Sequence, residues 1–185
     1  MKKNVNMLVI ILWFSSILFS QENQSDISDD LFFGGKFGLG TFYKAGTGYI
    51  IEFEKLVNKE FVNIRGISTK IGIGGSIGNG NYKSKVNGDD WKYTNQLVMI
   101  NTYIHADVLK NNKIDTYLKF GIGYNAGTVK YLDSPKSYGY EPPNNAGIVT
   151  SGAIGARYYL LPKLAAAAEL GWGIGILRIG IDLLI

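Results

Sequence analysis

The chain's one histidine, His105, is the residue best suited to acid–base chemistry. It lies two positions before Asp107, and an imidazole beside a carboxylate can activate a serine nucleophile. Alternation along the chain places Ser68 and Ser151 on the same side as His105, but the two serines fall on non-adjacent predicted strands and outside any G-x-S-x-G sequence. We therefore predict a hydrogen-bonded interior residue and no enzyme; catalysis by His105 is the alternative.

Two further patterns have chemical interpretations. Asp107 and Asp115 flank a predicted turn at 109–113 and would face each other, as in a proton or cation site; the alternative is an interior ion-pair network. The glycines of 72–78 suggest a phosphate loop, but no Lys-Ser/Thr follows and no helix begins there, which favours a thinned strand. With no cysteine and one histidine, we predict no metal site and no cofactor.

Strands must position these residues, because every ordered stretch alternates with period two. In 117–124 the even positions are apolar, and the odd positions carry Tyr, Lys and Gly. We predict strands at about 32–43, 48–56, 62–76, 95–108, 114–125, 147–160, 164–172 and 176–185. Aliphatic side chains on one face and charges on the other suit a wall with hydrocarbon outside. The sequence thus predicts an all-β, eight-stranded antiparallel up-and-down transmembrane β-barrel.

The set of residues opposite the apolar set is charged and nearly neutral. Its charged members are Lys36, Glu52, Glu54, Lys70, Asp107, Asp115, Lys119, Arg157, Glu169, Arg178 and Asp182. Side chains fill the interior of an eight-stranded barrel, and unpaired charges there are costly. We therefore expect a lumen ion-pair network, with Lys36 beside Glu52 or Glu54, and Arg157 beside Glu169.

The N-terminus has the layout of a secretory signal. Lys2 and Lys3 precede an apolar run at 7–14, which predicts a cleaved signal peptide at 1–20; a membrane-spanning helix is the alternative. We expect a flexible leader at 21–30 and the barrel domain at 31–185. Without the two lysines the formal charge falls from +4 to +2, so no nucleic-acid partner is expected.

Connection lengths predict which end of the barrel faces outward. Turns at 57–61, 109–113 and 161–163 are short, whereas loops at 77–94 and 126–146 are long, as in barrels with extracellular loops and periplasmic termini. The loops contain candidate binding aromatics: Tyr82, Trp91, Tyr93, Tyr131, Tyr138 and Tyr140. Interleaved lysines would suit lipopolysaccharide, glycans or host surfaces, and an aromatic belt at the bilayer interface is the alternative.

Signal, eight alternating strands, alternating connections and an amphipathic last strand at 176–185 together resemble the small outer-membrane β-barrel family, which includes OmpX and the transmembrane domain of OmpA. Members usually end in an aromatic residue, whereas this chain ends in Ile185. The resemblance implies an outer-membrane location, contact with outer-membrane lipid and lipopolysaccharide, and the barrel assembly machinery as partner. We predict surface loops that act in adhesion, envelope integrity or defence, with an unknown extracellular ligand. The alternatives are a narrow porin-like channel, a lipid-modifying enzyme and a soluble lipocalin-like carrier.

Overall fold

The computed structural model describes residues 31–40, 46–64, 66–86, 88–132 and 146–185. The strands are β1 (Leu31–Leu39), β2 (Gly46–Ile64), β3 (Ile67–Val86), β4 (Asp89–Ala106), β5 (Ile114–Tyr131), β6 (Gly147–Leu161), β7 (Leu164–Trp172) and β8 (Leu177–Leu184). Each pairs antiparallel with the next, and β1 pairs with β8, which closes the barrel. The predicted fold class is confirmed. The described residues include no helix that is long and apolar enough to cross a membrane.

The wall is apolar on its outside and polar on its inside. Ile100, Phe120 and Ile179 are 68%, 49% and 54% exposed. Lys119 and Arg178, which lie next to two of them in sequence, are only 2% and 1% exposed. Water would penalise such an exterior, whereas hydrocarbon stabilises it. A soluble carrier needs the opposite arrangement, so that alternative is wrong.

Several strands are longer than the sequence predicted. The turn predicted at 57–61 lies within β2, which reaches Ile64 through irregular pairing with β3, and Gly66 adopts the positive φ of 81° at the turn itself. The predicted loop 77–94 is instead a hairpin, because β3 continues to Val86 and β4 begins at Asp89. Glycine and asparagine in this segment suggested a loop, but the ladder between β3 and β4 satisfies their backbone groups regardless of side chain.

Among the described residues, one part of the barrel rises above the rest. We call residues 79–86 of β3, 89–96 of β4 and 126–131 of β5 the raised sheet, and the end of the barrel that bears it the tall end. The neighbouring strands stop lower: β2 begins at Gly46, opposite Tyr82, and β6 begins at Gly147, opposite Asn125. The opposite end, which carries the connections at 65–66, 107–113 and 162–163, is the turn end. Beyond Tyr82 the raised sheet is therefore a three-stranded extension of the wall.

Candidate functional site

The lumen is filled by charged side chains from inward strand positions. Those in ion pairs are Lys36, Glu52, Glu54, Asp115, Lys119, Arg157, Glu169, Arg178 and Asp182. All except Asp115 are at most 4% exposed, and the Asp115 side chain is 20% exposed. A buried ion that lacks a partner costs several kcal/mol, so this placement requires close pairing.

One half of the network is built around two lysines. Lys36 Nζ contacts the Glu52 carboxylate and lies 2.9 Å from Glu169 Oε1. Lys119 Nζ contacts the other oxygen of Glu52 and lies 3.6 Å from Glu169 Oε2. Arg178, which is opposite Glu169 in the β7–β8 register, places its Nε 2.8 Å from Glu169 Oε2. Two carboxylates thus pair with three cations, and the five residues come from five strands.

Arg157 holds the other half together. Its Nε lies 2.6 Å from Asp182 Oδ2, its Nη2 lies 2.6 Å from Glu54 Oε2 and its Nη1 lies 3.2 Å from Asp115 Oδ2. The guanidinium carbon also lies 4.2 Å from the centroid of the Phe32 ring. The planar fork of arginine suits several carboxylates at once. Arg157 therefore links β6 with β2, β5 and β8 across the lumen.

His105 lies between two carboxylates. Its Nδ1 is 2.9 Å from Asp115 Oδ1, and its Nε2 contacts Glu54 Oε1. Ionised carboxylates only accept hydrogen bonds, so both ring nitrogens donate, which requires the imidazolium form. With His105 charged, the lumen groups in these contacts carry five charges of each sign. Neither nitrogen is left to accept a proton from a serine.

The positions of the serines fit a structural role in the wall and not that of a nucleophile. Ser151 is buried and Ser68 half-buried on strands that do not pair with each other. Ser76, which sequence reasoning did not consider, lies in the G-x-S-x-G stretch Gly74 to Gly78 but in the middle of β3, where its Oγ accepts a hydrogen bond from Asn101 at 3.0 Å. A nucleophile elbow needs a sharp strand-to-helix turn, and a mid-strand serine does not provide one.

An apolar layer closes the lumen toward the tall end. Ile174, from the turn between β7 and β8, is 7% exposed and packs inside the barrel with Ile50, Leu97 and Met99. Inward glycines leave room for it: a Cβ at Gly38 would lie 2.8 Å from the carbonyl oxygen of Ile174. The cavity between this layer and the ion network has a volume of about 10 Å³, enough for one water molecule.

The raised sheet has aromatic side chains on the face that continues the lumen lining. The Tyr82 and Tyr93 rings stack with centroids 4.7 Å apart, and Trp91 meets Tyr131 edge-on at 4.9 Å. Trp91 and Tyr93 are buried and share the inward set of β4 with Leu97. These four predicted loop residues therefore lie in strands and face the axis, away from the position of a lipid belt.

The geometry of this barrel is similar to that of known membrane barrels. The chain matches no protein-family profile and no curated protein sequence. A de novo designed transmembrane β-barrel superposes with a TM-score of 0.50 at 14% identity, covering 84% of this chain and 95% of that one. This chain has the fold of a small transmembrane β-barrel of the outer-membrane type.

Natural barrels also superpose. Ail, the attachment invasion locus protein of Yersinia pestis, in complex with the heparin analogue sucrose octasulfate, gives a TM-score of 0.43 at 14% identity, covering 84% of this chain and 93% of Ail. Neisserial surface protein A gives 0.43 at 12% identity, covering 85% of this chain and 96% of that one.

The barrel brings together some of the predicted site residues and separates others. Lys36 and Glu52 form a pair, whereas Arg157 contacts Glu54, Asp115 and Asp182 instead of the predicted Glu169. The reason is reach, because the long Arg157 side chain crosses the lumen and Glu169 is opposite Arg178.

Lys70 and Asp107 lie outside the network, contrary to prediction. Both are exposed at the turn end, where β4 has already ended at Ala106. Asp107 is exposed just beyond the end of β4, whereas Asp115 contacts His105 and Arg157 in the lumen. Tyr138 and Tyr140, the signal peptide at 1–20 and the leader at 21–30 lie outside the described residues and stay predictions.

Proposed function

We propose that this protein is a non-enzymatic barrel of the outer membrane, in which a closed wall and lumen hold the raised sheet as a contact surface outside the cell. The observation that carries the proposal is the filling of the lumen, by a neutral ion network and by the layer around Ile174. Because the lumen of such a barrel is filled, contacts with a partner are made by the surfaces that face solvent.

The packing of the lumen argues against the channel alternative. A permeating ion or solute would have to displace the Ile174 layer and then separate Arg157 from its three carboxylates. Truncating one partner of a buried ion pair costs about 3–5 kcal/mol, so such a path is strongly disfavoured. The cavity between the Ile174 layer and the ion network, about 10 Å³, is too small for anything beyond water.

The lengths of the connections support the orientation that we propose. Outer-membrane barrels carry short turns on the periplasmic side and longer structures outside. On that basis the turn end, with the start of β1 and the end of β8, faces the periplasm, and the raised sheet extends from the cell. Adhesion, envelope integrity or defence are the roles open to such a surface, with outer-membrane lipid, lipopolysaccharide and the barrel assembly machinery as partners.

Two measurements test the proposal. In planar bilayers the purified barrel should show no steady conductance.

The raised sheet is shortened by replacing residues 83–92 with Asn-Gly, which joins Tyr82 to its register partner Tyr93 by a hairpin turn. This variant should still migrate as a folded barrel on gels without heating, because the pairing below Tyr82 is unchanged.

Cells that produce the shortened variant should lose the surface properties that the full-length barrel gives them, scored as adhesion to surfaces and survival in detergent or bile salts. A steady open conductance of the wild-type barrel would overturn the closed-scaffold proposal. Full adhesion and survival with the shortened variant would overturn the assignment of function to the raised sheet.

A further inference from the structure

Three lysines form a row across the outward face of the raised sheet. Lys83 is opposite Lys92 in the β3–β4 register, and Lys92 is opposite Lys130 in the β4–β5 register. All three side chains are exposed. Residues directly opposite in an antiparallel pair have Cβ atoms about 4.5–5.5 Å apart. Three ammonium groups thus share one strip of surface; we call them the lysine row.

Nothing in the described chain neutralises the lysine row. None of its three members forms an ion pair with a described residue, whereas Lys85, in the next row of the hairpin, is opposite Asp90. On the other side the row of Asn81, Thr94 and Thr128 is uncharged. Like charges directly opposite each other destabilise a sheet. A bound anion between the lysines would relieve that repulsion.

The lysine row faces sideways, over the membrane. Its members belong to the outward set that includes Ile77, Val98 and Tyr124, a register row of exposed side chains at the upper edge of the apolar band. An occupant would therefore lie beside the barrel, among the lipids that surround it, and not above its mouth.

The height of the row selects the kind of lipid. Each lysine lies six residues beyond its apolar counterpart on the same strand. At a rise of about 3.3 Å per residue and a tilt of about 40°, the row is about 15 Å above the apolar edge. Phospholipid headgroups extend only about 5–8 Å beyond the hydrocarbon. The lysines lie above phospholipid phosphates, at the level of the sugars of a glycolipid.

We propose that Lys83, Lys92 and Lys130 bind anionic groups, phosphates above all, on the sugars of an outer-leaflet glycolipid packed against the raised sheet. Lysine recognises phosphate as a flexible point charge and needs no fixed fork geometry. The polar row of Asn81, Thr94 and Thr128 lies between the lysines and the apolar band and faces the intervening sugars. This inference rests on the proposed function, because it needs the raised sheet outside the cell.

The test uses the purified full-length barrel and two charge-matched variants. K83Q/K92Q/K130Q removes the lysine row, and K70Q/K113Q/K163Q removes three exposed lysines from the turn end. Each is titrated in detergent with lipopolysaccharide that has a phosphorylated core, with the same material after dephosphorylation, and with phosphatidylglycerol. Binding and the thermal unfolding midpoint are followed.

We expect wild type and the turn-end variant to bind the phosphorylated material and to unfold at a higher temperature with it. The row variant should bind about tenfold more weakly, as expected for losing three exposed ion pairs. Dephosphorylated material and phosphatidylglycerol should not distinguish the row variant from the turn-end variant. Equal binding of phosphorylated material by both variants would overturn the proposal, as would row-dependent stabilisation by phosphatidylglycerol.

A single substitution gives an independent reading if the triple variant folds poorly. Lys92 takes part in both like-charge pairs, so Lys92→Thr should raise the unfolding midpoint without glycolipid and reduce the further rise on adding it. An unchanged further rise would overturn the proposal. These outcomes are independent of conductance: an open channel overturns the proposed function alone, and equal variants overturn the lysine row alone.

Discussion

The lumen and the raised sheet use the same residue types in opposite ways. Lys119, inside the barrel, has Glu52 and Glu169 within ion-pair distance, and every cation of the lumen network has a carboxylate partner. Lys92, on the raised sheet, has a lysine on each side. The difference is hydration: water stabilises an exposed ammonium, whereas a buried one depends on the protein for its partners.

This comparison separates residues that hold the barrel together from residues that we propose bind a partner. Charges in the lumen are mutually satisfied, so changing one should mainly alter folding stability. Charges on the raised sheet contribute little to folding, so changing one should mainly alter binding. The four substitutions that follow test this division, in order of decreasing effect on the free energy of unfolding.

Replacing Arg157 with Met should have the largest effect. It leaves Glu54, Asp115 and Asp182 without their shared cation, which should lower the free energy of unfolding by about 3–5 kcal/mol. Urea titration of the barrel in lipid vesicles measures the change. Lys163→Met removes an exposed cation at the turn end and should change stability by less than about 0.5 kcal/mol. Equal effects of the two substitutions would remove the distinction between lumen and surface charges.

His105→Gln should come next. A glutamine amide can donate to one of the two carboxylates that the imidazolium bridges, but it carries no charge. Loss of one charged hydrogen bond should cost about 2–3 kcal/mol in the same titration. His105→Ala provides the control, because alanine donates to neither carboxylate and leaves a larger space beside Tyr117, so it should cost more. A glutamine variant as stable as wild type would show that the network does not need a fifth cation.

Gly38→Ala tests the apolar layer of the lumen. The new Cβ would lie 2.8 Å from the carbonyl oxygen of Ile174, so the β7–β8 turn must shift, at a cost of about 1–2 kcal/mol. Gly35 is the matched control on the same strand, because a Cβ there meets no atom within 4 Å. Gly35→Ala should leave stability and closure unchanged. Thermal unfolding of the two variants side by side measures how tightly the β7–β8 turn is held against Gly38.

Lys92→Met should have the smallest effect on folding. Because the side chain is exposed and opposite two other lysines, its loss should alter the free energy of unfolding by less than about 0.5 kcal/mol, in the stabilising direction. Lys119→Met, a matched change in the lumen, should destabilise by several times as much. Comparable destabilisation by both would contradict the division between the two regions.

The sequence predicts the wall better than what lies inside or above it. Alternation of aliphatic and charged residues depends only on which solvent each face meets, so the outward side chains of Ile100 and Phe120 could be inferred residue by residue. The partners of Arg157 could not, because they are set by how far the closed sheet is staggered and how far a long side chain reaches.

The raised sheet escaped prediction for a different reason. Gly78, Asn79, Gly80 and Asn81 have low strand propensity, and they suggested a loop. Cross-strand pairing with β4 overrides that preference, and the lysine row exists only through this pairing. Lys70 shows the opposite error: its position in the alternation was inward, but a side chain at the end of a strand reaches water.

Ile174, which closes the lumen, lies in a turn held beside the pairing of β1 with β8. The backbone N–H of Ile176 donates to the carbonyl of Leu39 at 2.9 Å, so the turn that carries Ile174 is anchored where the first and last strands meet. Before β1 and β8 pair, this hydrogen bond cannot form, and we expect Ile174 not to be held across the lumen. We therefore expect the barrel to be leaky while β1 and β8 are unpaired and to become closed once they pair.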